Sequence, residues 1–159
     1  MLKKLFSLIF IFTLLVACSE NEIQSKSIEW EKYINSKYGF SVNYPPEWTI
    51  GEESDNEDGI NLYVGNPDVH ILTYASYYME DISNPYENAE NNGFDIQRIT
   101  LDNDKSAELI IGNIDEKVHY ELVFIENDII YNVNAEVSKS FFEKNEAILL
   151  KVVKSLDTL

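Results

Sequence analysis

Apolar and polar residues alternate along most of the chain after residue 28, and this pattern predicts a strand-rich domain. Phe40, Val42 and Tyr44 are separated by polar neighbours, which is the two-residue period of a strand with one buried face. The same alternation occurs in residues 118–125 and 129–137, which predicts a hairpin near the C-terminus. Further strands are expected at residues 60–64, 69–78, 95–101 and 106–111.

Two segments have helical patterns instead. Residues 85–92 begin with proline and follow Ser83 and Asn84, either of which can cap a helix. Residues 140–156 carry apolar side chains on one helical face, and Ser140 stands three residues before a glutamate, the spacing of a capping box. The order of these elements predicts an α+β domain. We expect an antiparallel β-sheet covered by a C-terminal amphipathic helix, together with one shorter helix.

The first 18 residues follow a different pattern. Lys3 and Lys4 precede an apolar run at residues 5–16, and the only cysteine, Cys18, follows Ala17. This order is typical of a secretory signal, and the run is too short for a transmembrane helix of about 20 apolar residues. The alternative interpretation is an ordinary signal peptide whose cysteine stays a free or buried thiol.

The stretch that ends at Cys18 resembles the lipobox of bacterial lipoproteins. The resemblance implies that the thiol of Cys18 receives a diacylglyceryl group and that cleavage leaves it as the first mature residue. Two acyl chains are enough for stable membrane attachment. We therefore expect a signal peptide at residues 1–17, a lipidated polar tether at residues 18–27 and one domain at residues 28–159. The expected location is the outer face of the cytoplasmic membrane or beyond it.

The segment at residues 38–48, with the sequence YGFSVNYPPEW, resembles the opening motif of the PsbP-like superfamily. That superfamily includes the PsbP protein of photosystem II, a Ran-binding nuclear-import factor and many small bacterial lipoproteins. Residues 148–156 are similar to its closing helix. The resemblance implies a PsbP-like fold and an accessory, stabilising or partner-binding role, although a fold alone does not fix a function.

The excess of acidic over basic residues limits the kinds of molecule that the protein is expected to bind. The chain has 12 basic and 28 acidic residues. The predicted signal holds two of the lysines and no acid, so the mature chain has a net charge of −18. This charge disfavours nucleic acid and anionic lipid surfaces. It favours a cation, a basic protein partner or simple solubility.

The acidic segment at residues 52–58 is the strongest candidate for a metal site. Its oxygen ligands would come from Glu53, Asp55, Glu57 and Asp58, and hard cations such as calcium prefer oxygen ligands on a flexible loop. The spacing of an EF-hand is absent. The alternative interpretation is a solvated loop, and no other cofactor is expected.

A cluster of tyrosines is the candidate for partner binding. Tyr74 and Tyr78 are expected to share one face of a strand while Tyr77 points to the other. Tyrosine is common in binding surfaces, but it is also common in strands.

Catalytic motifs are absent from the sequence. His70 and His119 lie on predicted strands without the spacing of a metal site, and there is no serine elbow or phosphate-binding glycine loop. We therefore expect a binding module and not an enzyme. Cation binding is the second hypothesis and an uncharacterised enzyme is the third.

Overall fold

The computed structural model describes residues 29–67, 69–82 and 84–159. The predicted signal, the tether and Cys18 lie outside the described residues. Within them the chain forms ten strands and two helices. The strands are β1 (Glu31–Asn35), β2 (Phe40–Tyr44), β3 (Thr49–Glu53), β4 (Gly59–Tyr63), β5 (His70–Tyr77), β6 (Asp95–Thr100), β7 (Ser106–Ile114), β8 (Lys117–Glu126), β9 (Ile129–Ser138) and β10 (Asp157–Thr158). The helices are α1 (Pro85–Asn91) and α2 (Lys139–Lys154).

The strands form two antiparallel sheets. The larger sheet has seven strands in the order β3-β4-β5-β9-β8-β7-β6, and the smaller has three in the order β1-β2-β10. The β8–β9 hairpin pairs without interruption from Lys117 opposite Ser138 to Glu126 opposite Ile129. Asn127 and Asp128 close it with φ angles of 52° and 60°, the left-handed conformation that two-residue hairpin turns require and that Asn and Asp tolerate.

One face of the seven-stranded sheet is covered over its central strands. Helix α2 contributes Leu149, Val152 and Val153 to the core beneath this face, and β2 contributes Phe40 and Val42. All five side chains are almost completely inaccessible to solvent. We call this side of the sheet the closed face.

Helix α1 covers only part of the opposite face. Its buried residue, Ala89, packs against Ile110, Val123 and Ile130 of β7, β8 and β9. Asn84 caps the helix, because its side-chain oxygen accepts hydrogen bonds from the first free backbone N–H groups. Since α1 has seven residues, it leaves much of this second face uncovered.

The predicted α+β fold with a covering C-terminal helix is confirmed, and three details differ. Helix α2 is capped by Ser138 and not by Ser140, because β9 runs to Ser138 and its hydroxyl accepts the N–H of Phe141 at 3.3 Å. The acidic loop is shorter than expected, because β3 includes Glu53. The three-stranded sheet was not predicted. No helix of the described residues is long and apolar enough to cross a membrane.

Replacing Phe40 with alanine should test the closed face. Its ring has no exposed surface and packs edge-on against Tyr33 and Tyr131, with centroid distances of 6.0 and 5.7 Å. We expect Phe40→Ala to lower the free energy of unfolding by about 3–5 kcal/mol. Urea denaturation measures the change. Phe142→Ala should cost less, because that ring is only partly buried; equal losses for the two variants would contradict this account of the core.

Candidate functional site

The second face of the seven-stranded sheet carries a group of polar side chains beside α1. Alternate residues of a strand point to the same face, and the register aligns these positions across β5, β9 and β8. Glu136 of β9 lies between His70 of β5 and His119 of β8. We use the name polar strip for His70, Tyr74, His119, Glu121, Asn132, Asn134 and Glu136.

His119 is held in a fixed position within the polar strip. Its Nε2 atom lies 3.1 Å from Oε2 of Glu121, and its ring stacks on Phe94 with a centroid distance of 5.2 Å. Gly112 is the cross-strand neighbour of His119, and a Cβ atom there would overlap the ring of Phe94. The glycine therefore leaves the space that allows Phe94 to reach the histidine.

A pocket of about 340 Å³ lies between the polar strip and the start of α1. Tyr74, Glu121 and Asn132 form its floor on the sheet, and α1 and the segment before it form the opposite wall. Asn132 is 1% exposed, and its Oδ1 atom has no hydrogen-bond partner. The other described residues that line the pocket are Ser76, Ile82, Asn84, Pro85, Asn88 and Ile130.

A second hollow of about 350 Å³ lies at the other end of the strip. His119 and Glu136 line it together with the β7–β8 turn. The Nδ1 atom of His119 is buried and has no hydrogen-bond partner. The polar strip is therefore a concave surface with a hollow at each end.

The tyrosines predicted to bind a partner lie in different surroundings. Tyr74 is half-buried in the polar strip, and burial, followed by the nearby charge of Glu121, raises the pKa of its hydroxyl. Tyr78 packs against the small apolar cluster beneath α1. Tyr77 is 70% exposed and contacts Tyr38 edge-on at 6.0 Å, on the closed-face side. The structure thus places Tyr74, but not Tyr78, beside the pocket.

The acidic loop at residues 54–58 is tied to the turn between β1 and β2. The Nζ atom of Lys37 donates to the carbonyl oxygen of Asn56 at 2.6 Å and to Oδ1 of Asp58 at 2.7 Å. The hydrogen bond to Asp58 raises the pKa of Lys37. Ser54 Oγ accepts the backbone N–H of Asp58 at 3.0 Å, which closes the loop on itself.

The four predicted metal ligands are therefore not equivalent. Glu53 accepts a hydrogen bond from the hydroxyl of Tyr33 at 3.0 Å, and Asp58 is paired with a lysine. Asp55 and Glu57 point into solvent. Within the described ranges no group of three or more His, Cys, Asp or Glu side chains is placed to hold a metal ion. Cation binding by this loop stays a prediction.

Sequence reasoning missed Glu121 and Asn132 as members of the site. A signal for them was available, because Asn132, Asn134 and Glu136 occupy the polar positions of an alternating strand that contains mostly apolar residues. Their partner positions on β5 and β8 depend on strand order, which alternation does not reveal.

Comparison with solved structures decides the type of fold. The solution structure of cyanobacterial PsbP (CyanoP) from Synechocystis sp. PCC 6803 matches with a TM-score of 0.58 over 83% of this chain and 94% of that chain. The chain has a PsbP-like fold. The sequence identity is 11%, so this similarity shows the fold alone.

A crystal structure of a protein from Bacteroides thetaiotaomicron VPI-5482 is also similar. The TM-score is 0.52 at 16% identity over 81% of this chain, which spans about half (48%) of that protein. No family model matches the sequence. No curated protein matches it either.

The hydroxyl of Tyr33, which donates to Glu53, predicts a loss of stability in alkali. Burial, the largest cause, and the neighbouring Glu53 together raise the pKa of Tyr33 from 10.0 to about 12, although the hydrogen bond from Asn35 opposes the shift. The folded state therefore holds this proton more tightly than the unfolded state. The resulting stabilisation is complete below pH 10 and is lost as the pH rises through 12.

Urea denaturation between these pH values measures the loss. Tyr33→Phe should lose less stability than the wild type over the same interval, because phenylalanine has no proton to release. Tyr63→Phe is the control, since Tyr63 is 54% exposed. Equal pH dependence in the wild type and in Tyr33→Phe would contradict the assignment.

Proposed function

We propose that this protein is a lipid-anchored, extracytoplasmic accessory module without enzymatic activity, and that it binds a basic protein partner through the polar strip. The observation that carries the proposal is the second face of the seven-stranded sheet, which is concave, polar and covered by α1 only in part. If this second face were apolar, another part of the structure would have to cover it.

The anchor rests on the order of residues before Cys18. Two lysines, a short apolar run and a small residue precede the only cysteine of the chain. A lone cysteine has no disulfide partner within the chain, and lipidation accounts for both its presence and its position.

Charge supports a basic partner. The chain carries a net charge of −16 before removal of the signal. The polar strip contains the carboxylates of Glu121 and Glu136, and Asp115, Glu116 and Lys117 line the hollow beside Glu136. A surface of one sign increases the rate of encounter with a partner of the opposite sign and selects against acidic partners. Asparagine and tyrosine side chains add hydrogen-bonding groups across the same area.

The surroundings of His119 do not match those of the catalytic base of a serine hydrolase. Among the described residues its ring contacts Glu121 and Phe94, and no serine hydroxyl lies within hydrogen-bond distance. A histidine that activates a serine nucleophile would need that contact.

The second candidate function is a cation-binding surface lipoprotein of the calcium type. Asp55 and Glu57 support it, because both are exposed on the loop and neither carboxylate forms an ion pair with a described residue. A calcium titration followed by tryptophan fluorescence tests this candidate against partner binding.

Cys18→Ala should abolish membrane attachment. The variant loses the thiol that the lipid requires, so we expect the protein to move from the membrane pellet to the soluble fraction. Cell fractionation and intact mass spectrometry measure the change, with Ser19→Ala as the control that keeps the thiol. A Cys18→Ala variant that stays in the pellet with an unmodified mass would contradict the anchor.

Reversing the charge of the polar strip should abolish partner binding. We expect Glu121→Lys combined with Glu136→Lys to reduce recovery of a basic protein with the full-length lipoprotein by at least about tenfold, because like charges then face each other. The matched control is Glu143→Lys with Glu146→Lys on the exposed side of α2, which makes the same change of net charge. Equal recovery by both pairs would show that only net charge matters.

A further inference from the structure

The pocket beside α1 contains an unused hydrogen-bond acceptor. Asn132 lines the pocket, and its Oδ1 atom is buried and has no hydrogen-bond partner among the described residues. Buried polar groups in folded proteins are nearly always paired, and an unpaired one is costly. A group that enters the pocket and satisfies Asn132 must therefore be a hydrogen-bond donor.

The charge of the pocket adds a second requirement. The side chain of Glu121 is only 13% exposed, and its contact in the structure is with His119. Glu121 is the only acidic residue in the described lining of the pocket, and that lining includes no lysine or arginine. A cationic donor is the complementary group.

The strand register brings the two acceptors close together. Asn132 lies opposite Val123, two residues from Glu121 on β8. Diagonal neighbours of this kind have their Cα atoms about 7–8 Å apart, so one small group between them can contact both side chains. Tyr74 lies directly opposite Asn132 on β5, and an aromatic ring attracts a nearby cation.

The rest of the lining is suited to a short hydrocarbon chain. Ile82, Pro85 and Ile130 supply apolar surface beside the polar floor. The volume of about 340 Å³ is near the lower end for ligand pockets.

We infer that this pocket binds a primary ammonium group on a short alkyl chain, with Glu121 and Asn132 as its acceptors. The group can come from a lysine side chain of the basic partner or from a free small amine. The lysine source rests on the function proposed above. The free-amine source does not require it.

The first experiment titrates n-butylammonium into the full-length lipoprotein in phosphatidylcholine nanodiscs, with empty nanodiscs as the blank. Ligand-observed NMR measures binding. We expect saturable binding, at least about tenfold weaker binding of n-butyltrimethylammonium, and still weaker binding of n-butanol. The trimethyl compound keeps the charge but has no N–H donor. Absent binding, or equal affinity for the two cations, would overturn the inference without any protein variant.

Variants then locate the site. Glu121→Gln keeps the shape of the side chain and removes its charge, and Asn132→Leu removes the unpaired acceptor. Each should weaken n-butylammonium binding by at least about tenfold. Glu136→Gln is the matched control, because Glu136 lies on the same face but does not line this pocket. Thermal unfolding checks that each variant is folded, and unchanged affinity in a folded Glu121→Gln variant would overturn the assignment.

A competition experiment separates the two sources. If n-butylammonium displaces the basic partner from the lipoprotein, the ammonium group comes from a lysine of that partner. If the amine binds without displacing the partner, a free amine is the ligand. If no amine binds while the partner is still released by charge reversal in the polar strip, the ammonium pocket is wrong and the proposed function stands.

Discussion

Unequal covering of the two faces of the seven-stranded sheet is the constraint on which the rest of this structure depends. An antiparallel sheet needs a cover wherever its side chains are apolar. Helix α2 and the small sheet supply that cover on the closed face, with Phe40, Val42 and Val152 completely buried. Helix α1 covers only a small apolar cluster on the second face, and many of the remaining positions on the central strands are polar, although Leu72 is not. The polar strip is thus a direct consequence of the amount of covering structure.

Much of the fold could be predicted from the sequence, because alternation and helical spacing are local signals. The β8–β9 hairpin and the amphipathic C-terminal helix were visible in this way. Strand β10 was not visible, because two residues are too few to show an alternating pattern. Asp157 and Thr158 form a strand only by pairing with Ser41 and Phe40. The start of α2 also depended on a contact: the capping-box spacing indicated Ser140, but the hydroxyl of Ser138 accepts the N–H of Phe141 and caps the helix.

The candidate site was less predictable than the fold, since its residues meet through pairing between distant strands. Glu121 and Asn132 belong to neighbouring strands, and their relation to Tyr74 depends on β5 lying on the far side of β9. The acidic loop shows the opposite case. Its charges were conspicuous in the sequence, but Lys37 pairs with Asp58 across 21 positions and ties the loop to the β1–β2 turn. A cluster of charges in sequence therefore did not identify the polar strip or the pocket beside it.

Site-specific photo-crosslinking tests most directly the claim that the polar strip is the binding surface. Benzoylphenylalanine would replace Asn134, at the centre of the strip, in the full-length lipoprotein in cells; the control position is Leu150, which is 38% exposed on α2. The account predicts a covalent adduct with a basic protein from position 134 and none from position 150. An adduct with that protein from position 150 alone would contradict it and would move the binding surface to α2.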